Sequence, residues 1–269
     1  MTLDKQTLDR LRRSNLTLPG GRQVRSDRDA ARWVDARGFA PLAPVDGCML
    51  PSVSDADANG GSWEVTDGSW RWKDTLPGAR ACVYTKFFRG GGTFIAWDQL
   101  PYFHVLYATG RSAAEDYQDG LLSRMEKHIL GVVEEAGPLD SRELWKRVRA
   151  DFGGPRSRFL GALAQLQKTF RLTVCGGSLE GWSIHHWDLM TRQAPAGLLD
   201  DLPLPDEARE KLVLKYVESA VACPADEPGR LFRWDRRRGR QVVEELVGRK
   251  RLSVVAVEGL PGPVLTLPA

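Results

Sequence analysis

Residues 232–267 read FRWDRRRGRQVVEELVGRKRLSVVAVEGLPGPVLTL. Asp235 stands where a helix N-cap is wanted and Gly248 where a helix ends, so the basic run opens a helix of about three turns. Two β-prone segments, RLSVVAV and PVLTL, follow around the turn-forming EGLPGP, which is a hairpin signal. Between Arg230 and Arg251 there are nine basic residues and three acidic ones, so this stretch alone exceeds the net charge of +3 of the whole chain. The positive charge is concentrated on one helix and its approaches.

Upstream, DEAREKLVLKYVESAV predicts a first helix with Leu212, Tyr216 and Val217 inward, and ADEPGRLF a short second one. Three helices with a tight second turn and a trailing hairpin form a winged helix-turn-helix, whose third helix can enter a DNA major groove while its wing lies along the backbone. The order occurs earlier in a different sequence. LLSRMEKHILGVVEEAG places Leu122, Met125, Ile129, Val132 and Val133 on one face and stops at Gly137–Pro138. Asp140 with Glu143 three residues on has the spacing of a capping box for a second helix. FGGPRSRFLGALAQLQKTF gives a third, with Pro155 at its first position, and FRLTV, CGGSLE and GWSIHHW give a hairpin with glycine at the turn. Two copies strengthen each other.

The expected fold is therefore α+β and helix-rich, built of tandem winged helix-turn-helix domains. An N-terminal arm spans 1–24, a decorated winged-helix-like unit 25–119, a middle winged helix 120–195, a linker 196–205 and a C-terminal winged helix 206–269. Within 25–119, DRDAARWVDARGF is a capped helix with Ala31, Trp33 and Val34 available to a core, APLAPVDGCMLPSVSDADANGG is mostly loop, and TFIAWDQLPYFHVLYA is a core strand leading into a helix. The arm contains a short amphipathic helix with Leu3, Leu8 and Leu11.

Composition narrows the chemistry. With 269 residues, 42% hydrophobic and 27% charged, the chain is ordinary globular material. It has no apolar run of the roughly 20 residues a membrane helix needs and no signal peptide, so a soluble, cytoplasmic protein without a membrane partner is expected. Cys48, Cys82, Cys175 and Cys223 form no CxxC, and the histidines form no HExxH, which points to reduced core thiols and to no metal or other cofactor. Of 38 basic residues 29 are arginine, a bias that genome composition also produces, so position decides which of them bind.

WRWKDTLPGARACVYTKFFRGGGTFIAWDQLPYF, FGGPRSRFLGALAQLQKTFRLTV and IHHWDLMTRQAP resemble the AlkZ-related branch of the AlkZ/YcaQ-like proteins, over residues 25 to 265. The resemblance implies tandem winged-helix domains and bacterial DNA glycosylases that excise alkylated bases and unhook crosslinks. Members of that family use a Gln-X-Gln or Gln-X-Asp motif near the N-terminus. The stretch that would hold it, RWVDARGFAPLAPVDGCMLPS, contains neither. Gln165 and Gln167 flank a core position of a helix and match the motif by coincidence. Asp46 is the acid nearest the expected place and the candidate catalytic residue.

For DNA contact the candidates are Arg233, Arg236, Arg237 and Arg240 at the third helix of the C-terminal unit, and Arg156, Arg158, Lys168 and Arg171 in the middle unit. A solvated helix face is the bland reading of both groups. Trp70 and Trp72 interleave with Arg71 and Lys73, the pattern of a base-stacking platform, although alternation on a strand would also put both rings in a core, which is the expected outcome. Gly90–Gly92 lacks the spacing of a phosphate loop and reads as a hairpin turn. His185 to Asp188 could serve acid-base chemistry, but a strand end packed on the next helix is the simpler reading. The partner expected is double-stranded DNA, intact or damaged, bound either by a glycosylase-like enzyme or by a non-catalytic regulator or repair accessory protein. Nothing in the sequence fixes an oligomeric state.

Overall fold

A computed structural model describes residues 2–60, 68–178, 184–257 and 262–268. It is a helix-rich mixed α/β structure. Strand β1 (Thr2–Leu3) and helix α1 (Lys5–Ser14) form the arm. Then come α2 (Asp27–Arg37), β2 (Phe39–Pro41), α3 (Val53–Ala56), α4 (Ser69–Gly78), β3 (Val83–Lys86) and β4 (Gly92–Ile95). Helices α5 (Leu100–Tyr107) and α6 (Ala113–Gln118) lead to α7 (Arg124–Ala136), β5 (Leu139–Asp140), α8 (Ser141–Phe152), α9 (Arg156–Lys168), β6 (Leu172–Ser178) and β7 (Ile184–Leu189). After α10 (Met190–Gln193) follow α11 (Pro205–Ala220), β8 (Cys223–Pro224), α12 (Glu227–Leu231), α13 (Arg236–Gly248), β9 (Ser253–Val257) and β10 (Val264–Thr266).

The order helix, strand, helix, helix, strand, strand therefore occurs three times, and each time the last strand pairs between the other two: β2-β4-β3, β5-β7-β6 and β8-β10-β9. Periodicity did not reveal the short strand after each first helix. The third helices also end alike. Leu76, Leu166 and Leu246 each accept, at 2.8–3.0 Å, the backbone N–H five residues on, from Ala81, Arg171 and Arg251. The residue before each donor turns left-handed, with φ of 53° at Arg80, 54° at Phe170 and 57° at Lys250. This is a Schellman cap made without glycine, at a cost of about 1 kcal/mol each.

The first two sheets join. Tyr84 on β3 pairs antiparallel with Val174 on β6, giving one six-stranded sheet, β2-β4-β3-β6-β7-β5. Helix α4 lies against β6, and this corrects two readings of the sequence. Trp70 and Trp72 stand on a helix rather than a strand. Gly176 and Gly177 lie in a strand rather than at a turn: a Cβ on Gly78 would come within 3.4 Å of the Gly176 backbone, and one on Gly177 would collide with the Asp74 carboxylate. The tips expected for the two downstream hairpins, 179–183 and 258–261, lie outside the described residues.

Pro155 and Gly248 shift by one position: Pro155 is the N-cap of α9, and α13 keeps Gly248 inside, with Arg249 as C-cap. In α2 Trp33 and Val34 are buried as expected, Ala31 packs partly buried against the same core, and Ala30 is buried with them. An aromatic cluster ties the parts together. Phe39, Phe87 and Phe88 meet Phe103 and Tyr107 of α5, Phe170 after α9 and Phe232 after α12, with ring centroids 5.0–6.4 Å apart. Such pairs prefer the tilted and edge-on arrangements seen here.

The arm closes the molecule on itself. β1 pairs in parallel with β9, extending the last sheet to β1-β9-β10-β8. Leu8 is buried with Ala222, Val255, Val257 and Val264, and Arg12 donates to the carbonyl of Ala222 at 2.9 Å. Leu11 stays exposed, so only part of the expected apolar stripe is used.

Candidate nucleic-acid interface

Helix α9 buries Phe159, Ala162, Leu163 and Leu166 against the sheet, which leaves Arg156, Ser157, Arg158, Leu160, Gly161 and Gln165 in solvent. Not one Asp or Glu occurs from Phe152 to Leu179. Helix α13 buries Val242, Val243 and Leu246 and exposes Arg236, Arg237 and Arg240 in its first turns. The Asp235 carboxylate caps it by accepting from the Arg238 N–H at 2.9 Å. Among the described residues, Arg156, Arg158, Arg236, Arg237 and Arg240 have no side-chain hydrogen bond or ion pair. Arg238 differs, since it reaches Asp206 at 3.5 Å and Gln241 at 3.4 Å.

One side chain links the end of α9 to the approach to α13. Arg233, at φ 59°, donates to the Lys168 carbonyl at 3.3 Å, and its guanidinium lies 4.5 Å over Phe87 and 5.1 Å over Tyr107. Arg233 remains exposed by surface area, and partial desolvation beside these rings pulls its pKa below the usual arginine value. Arg233 is therefore first a bolt between units, unlike the free arginines after it. Around this junction the fold gathers cations that sequence reasoning missed. Lys86 ends β3, and Arg89 sits in the turn before β4. The guanidinium groups of Arg89 and Arg230 both flank Gly47, where a Cβ would lie 3.5 and 3.4 Å from them. The signal was in KFFRGGG, two cations around an aromatic pair, but only the fold sets them beside α12.

Other candidates fall differently. Arg171, expected at a phosphate, is ion-paired to Asp116, which is 1% exposed, and also donates to Thr109 at 2.6 Å. Asp46 is exposed on the loop between β2 and α3, next to the Gly47 position that Arg89 and Arg230 flank, and holds no side-chain partner among the described residues. Trp72 is buried, its indole N–H donating to Asp27 at 3.0 Å; Trp70 is half-buried under the Lys73 ammonium, 4.4 Å from its ring. In the region aligned with the glutamine motif, β2 is apolar, with Phe39 and Ala40 fully buried.

Two buried polar clusters escaped sequence reasoning. Lys73 and Asp74, 3% and 2% exposed, pair at 2.5 Å, and the Asp74 carboxylate meets His185 Nδ1 at 2.9 Å. His185 is thus a tie between α4 and β7, packed on an earlier helix and not on the next one that the simpler reading expected. In the second, the Glu227 carboxylate accepts from the Met49 N–H at 2.8 Å and from the Tyr216 hydroxyl. Burial raises the Glu227 pKa. A raised carboxyl contributes stability fully below its unfolded value, about 4.3, and loses it as pH rises through the folded value. Glu227→Gln, whose amide oxygen can accept both bonds, is accordingly expected to gain stability relative to wild type between pH 4 and pH 7. Urea midpoints at the two pH values measure this, and a constant difference would refute it.

Cys48, Cys82, Cys175 and Cys223 are free thiols, and burial raises all four, Cys175 to about 11. Among the described residues no group of His, Cys, Asp and Glu could hold a metal ion, and no helix is long and apolar enough to cross a membrane.

A family model described as AlkZ related matches residues 24–229. Among solved structures the chain is similar to the Streptomyces sahachiroi DNA glycosylase AlkZ: 16% identity, 99% of this chain and 70% of that chain covered, and a TM-score of 0.64. At that identity the likeness is one of fold. No curated protein matches.

Proposed function

The chain belongs to the AlkZ-related family, and from that premise we propose that it is a DNA-binding protein of glycosylase ancestry. In this reading its repeated units are winged helices, decorated over 25–119 and simpler over 120–195 and 206–269, and they grip duplex DNA without excising bases in the family's manner. One observation carries it: the outer face of α9 is free of acids and α13 opens with the exposed Arg236, Arg237 and Arg240, which hold no side-chain partner among the described residues, while Arg233 before α13 is tied to the Lys168 carbonyl at the end of α9. Third helices are the groove-reading elements of winged helices, and phosphate-binding cations belong at their N-terminal ends. Helix α4, the third helix of the first unit, is covered by β6, so that unit contributes Lys86 and Arg89 from its hairpin instead.

Base hydrolysis needs a polar group to position water and stabilise a cationic sugar. The apolar β2 supplies none at the family's place, and Asp46, an exposed loop acid, lacks the shielding that such chemistry requires. A cytoplasmic repair accessory or a transcription regulator fits this better than an excising enzyme.

Two measurements on one protein preparation test the reading. If about half of Arg156, Arg158, Lys168, Lys86, Arg89, Arg230, Arg236, Arg237 and Arg240 touch phosphates, log affinity for a duplex falls with log salt at a slope of about −4. Alkylated duplex incubated with the protein is expected to gain no abasic sites. Absent or salt-independent binding would overturn the DNA assignment, and abasic sites above the protein-free level would overturn the non-excising one.

A further inference from the structure

The exposed face of α9 carries one large apolar side chain. Leu160 is 50% exposed, one turn beyond Arg156, with Ser157 and Ala164 at helical spacing and Gly161 next in sequence. Arg156 and Arg158 precede it and Lys168 follows on the same helix. A leucine in solvent is unremarkable by itself, and others exist: Leu204 is 75% exposed and Leu121 58%. Those two sit in acidic company, Leu204 before Asp206 and Glu207, and Leu121 after Asp119. A polyanion would be turned away from both. Only around Leu160, among these three, is the surrounding charge wholly positive.

Size matters as much as charge. Beyond Arg156 its neighbours Ser157, Gly161 and Ala164 are small, so Leu160 projects on that side as a knob from a shallow surface, and Gly161 adds no side chain that would hold a duplex off. Helix α13 is built differently: its exposed face runs from Arg237 through Gln241 to Glu244, with no apolar residue and a carboxylate midway.

The geometry points to Leu160 as a wedge that enters a weakened base step, so that α9 senses local loss of stacking while the cations around it hold the backbone. The inference rests on the DNA-binding reading above and adds the substrate class: duplexes with an abasic site or a mismatch, preferred over fully paired ones. An apolar side chain inserted between base pairs must unstack them, and that cost is least where a base is missing or mispaired.

The test compares two duplexes of one sequence, fully paired or with a central tetrahydrofuran abasic analogue, against wild type, Leu160→Ala and Leu160→Met. Wild type is expected to prefer the abasic duplex by roughly tenfold, a modest share of the unstacking cost saved. Leu160→Ala should bind the paired duplex within about twofold of wild type and lose the preference, and Leu160→Met, which keeps length and apolarity, should retain it. Circular dichroism on each variant secures the fold, which an exposed position should leave unchanged. A preference that survives in Leu160→Ala, or none in wild type, overturns the wedge. Salt-dependent binding to both duplexes without preference sinks only this inference, whereas no binding to either sinks the DNA-binding reading with it.

Discussion

Arg236→Ala, Arg237→Ala and Arg240→Ala combined are expected to leave the fold intact and to flatten the salt dependence of duplex binding by about two to three units. All three side chains are exposed, and none supports a neighbour, so their removal breaks no contact of the folded chain. The Asp235 cap and the buried Val242, Val243 and Leu246 stay in place. Each arginine that neutralises a phosphate releases condensed counterions and contributes a slope of about 0.9; at 0.15 M salt three such contacts are worth about two orders of magnitude in affinity. Their place at the start of α13 adds the helix dipole to their own charge. Fluorescence anisotropy across a salt series, with Arg238→Ala as the partly paired comparison, measures the effect. A folded triple variant with unchanged affinity and slope would make the cluster a solvated face and leave binding to Arg156, Arg158 and the rest of α9.

Asp116→Ala should be strongly destabilising for a single polar change. The Asp116 carboxylate accepts from Arg171 and, at 2.6 Å, from Thr109, with Arg111 Nε 3.8 Å away. Truncating it leaves Arg171, whose side chain is 15% exposed, charged and short of its main partner. Breaking a buried pair from one side costs about 3–5 kcal/mol, and for a chain of this size that lowers Tm by about 10 °C. Replacing both partners with apolar residues, Asp116→Leu with Arg171→Met, should recover most of the loss, because no uncompensated charge remains. A single-variant loss under about 1 kcal/mol would mean that the pair is effectively solvated, and would return Arg171 to the set of side chains free to meet a phosphate.

That reversal of Arg171 marks the boundary of what a linear reading can reach. Helices announced themselves by spacing and caps: Asp140, Asp235 and Gly137 all cap as expected. Partners distant in sequence did not. Nothing near Arg171 in sequence points to Asp116, 55 residues earlier, and nothing near Arg233 points to Phe87 and Tyr107. The alternation in WRWK mimicked a strand because α4 is buried on several sides and so lacks a clear polar face; Lys73 and Asp74 are both inside. Gly176 and Gly177 suggested a turn, but Gly176 takes its φ of 143° at an irregularity within β6 and Gly177 is bare because Asp74 of α4 comes close. The repeated helix endings were hidden because Arg80, Phe170 and Lys250 occupy positions where glycine is the usual sign. For the interface, cations on helices were visible, whereas Lys86, Arg89 and Arg230 came together only through tertiary packing.

The parallel pairing of β1 with β9 sets an order of events during synthesis. Thr2 and Leu3 are aligned with Ala256 and Val257, so β1 leaves the ribosome well before the strand it pairs with and must wait for it before it finds its place. At the usual elongation rate of 5–20 residues per second that wait is roughly 12 to 50 s. Throughout it Leu8 stays uncovered, since Ala222, Val255, Val257 and Val264 follow late, and a nascent chain in that interval offers a ready hold to chaperones.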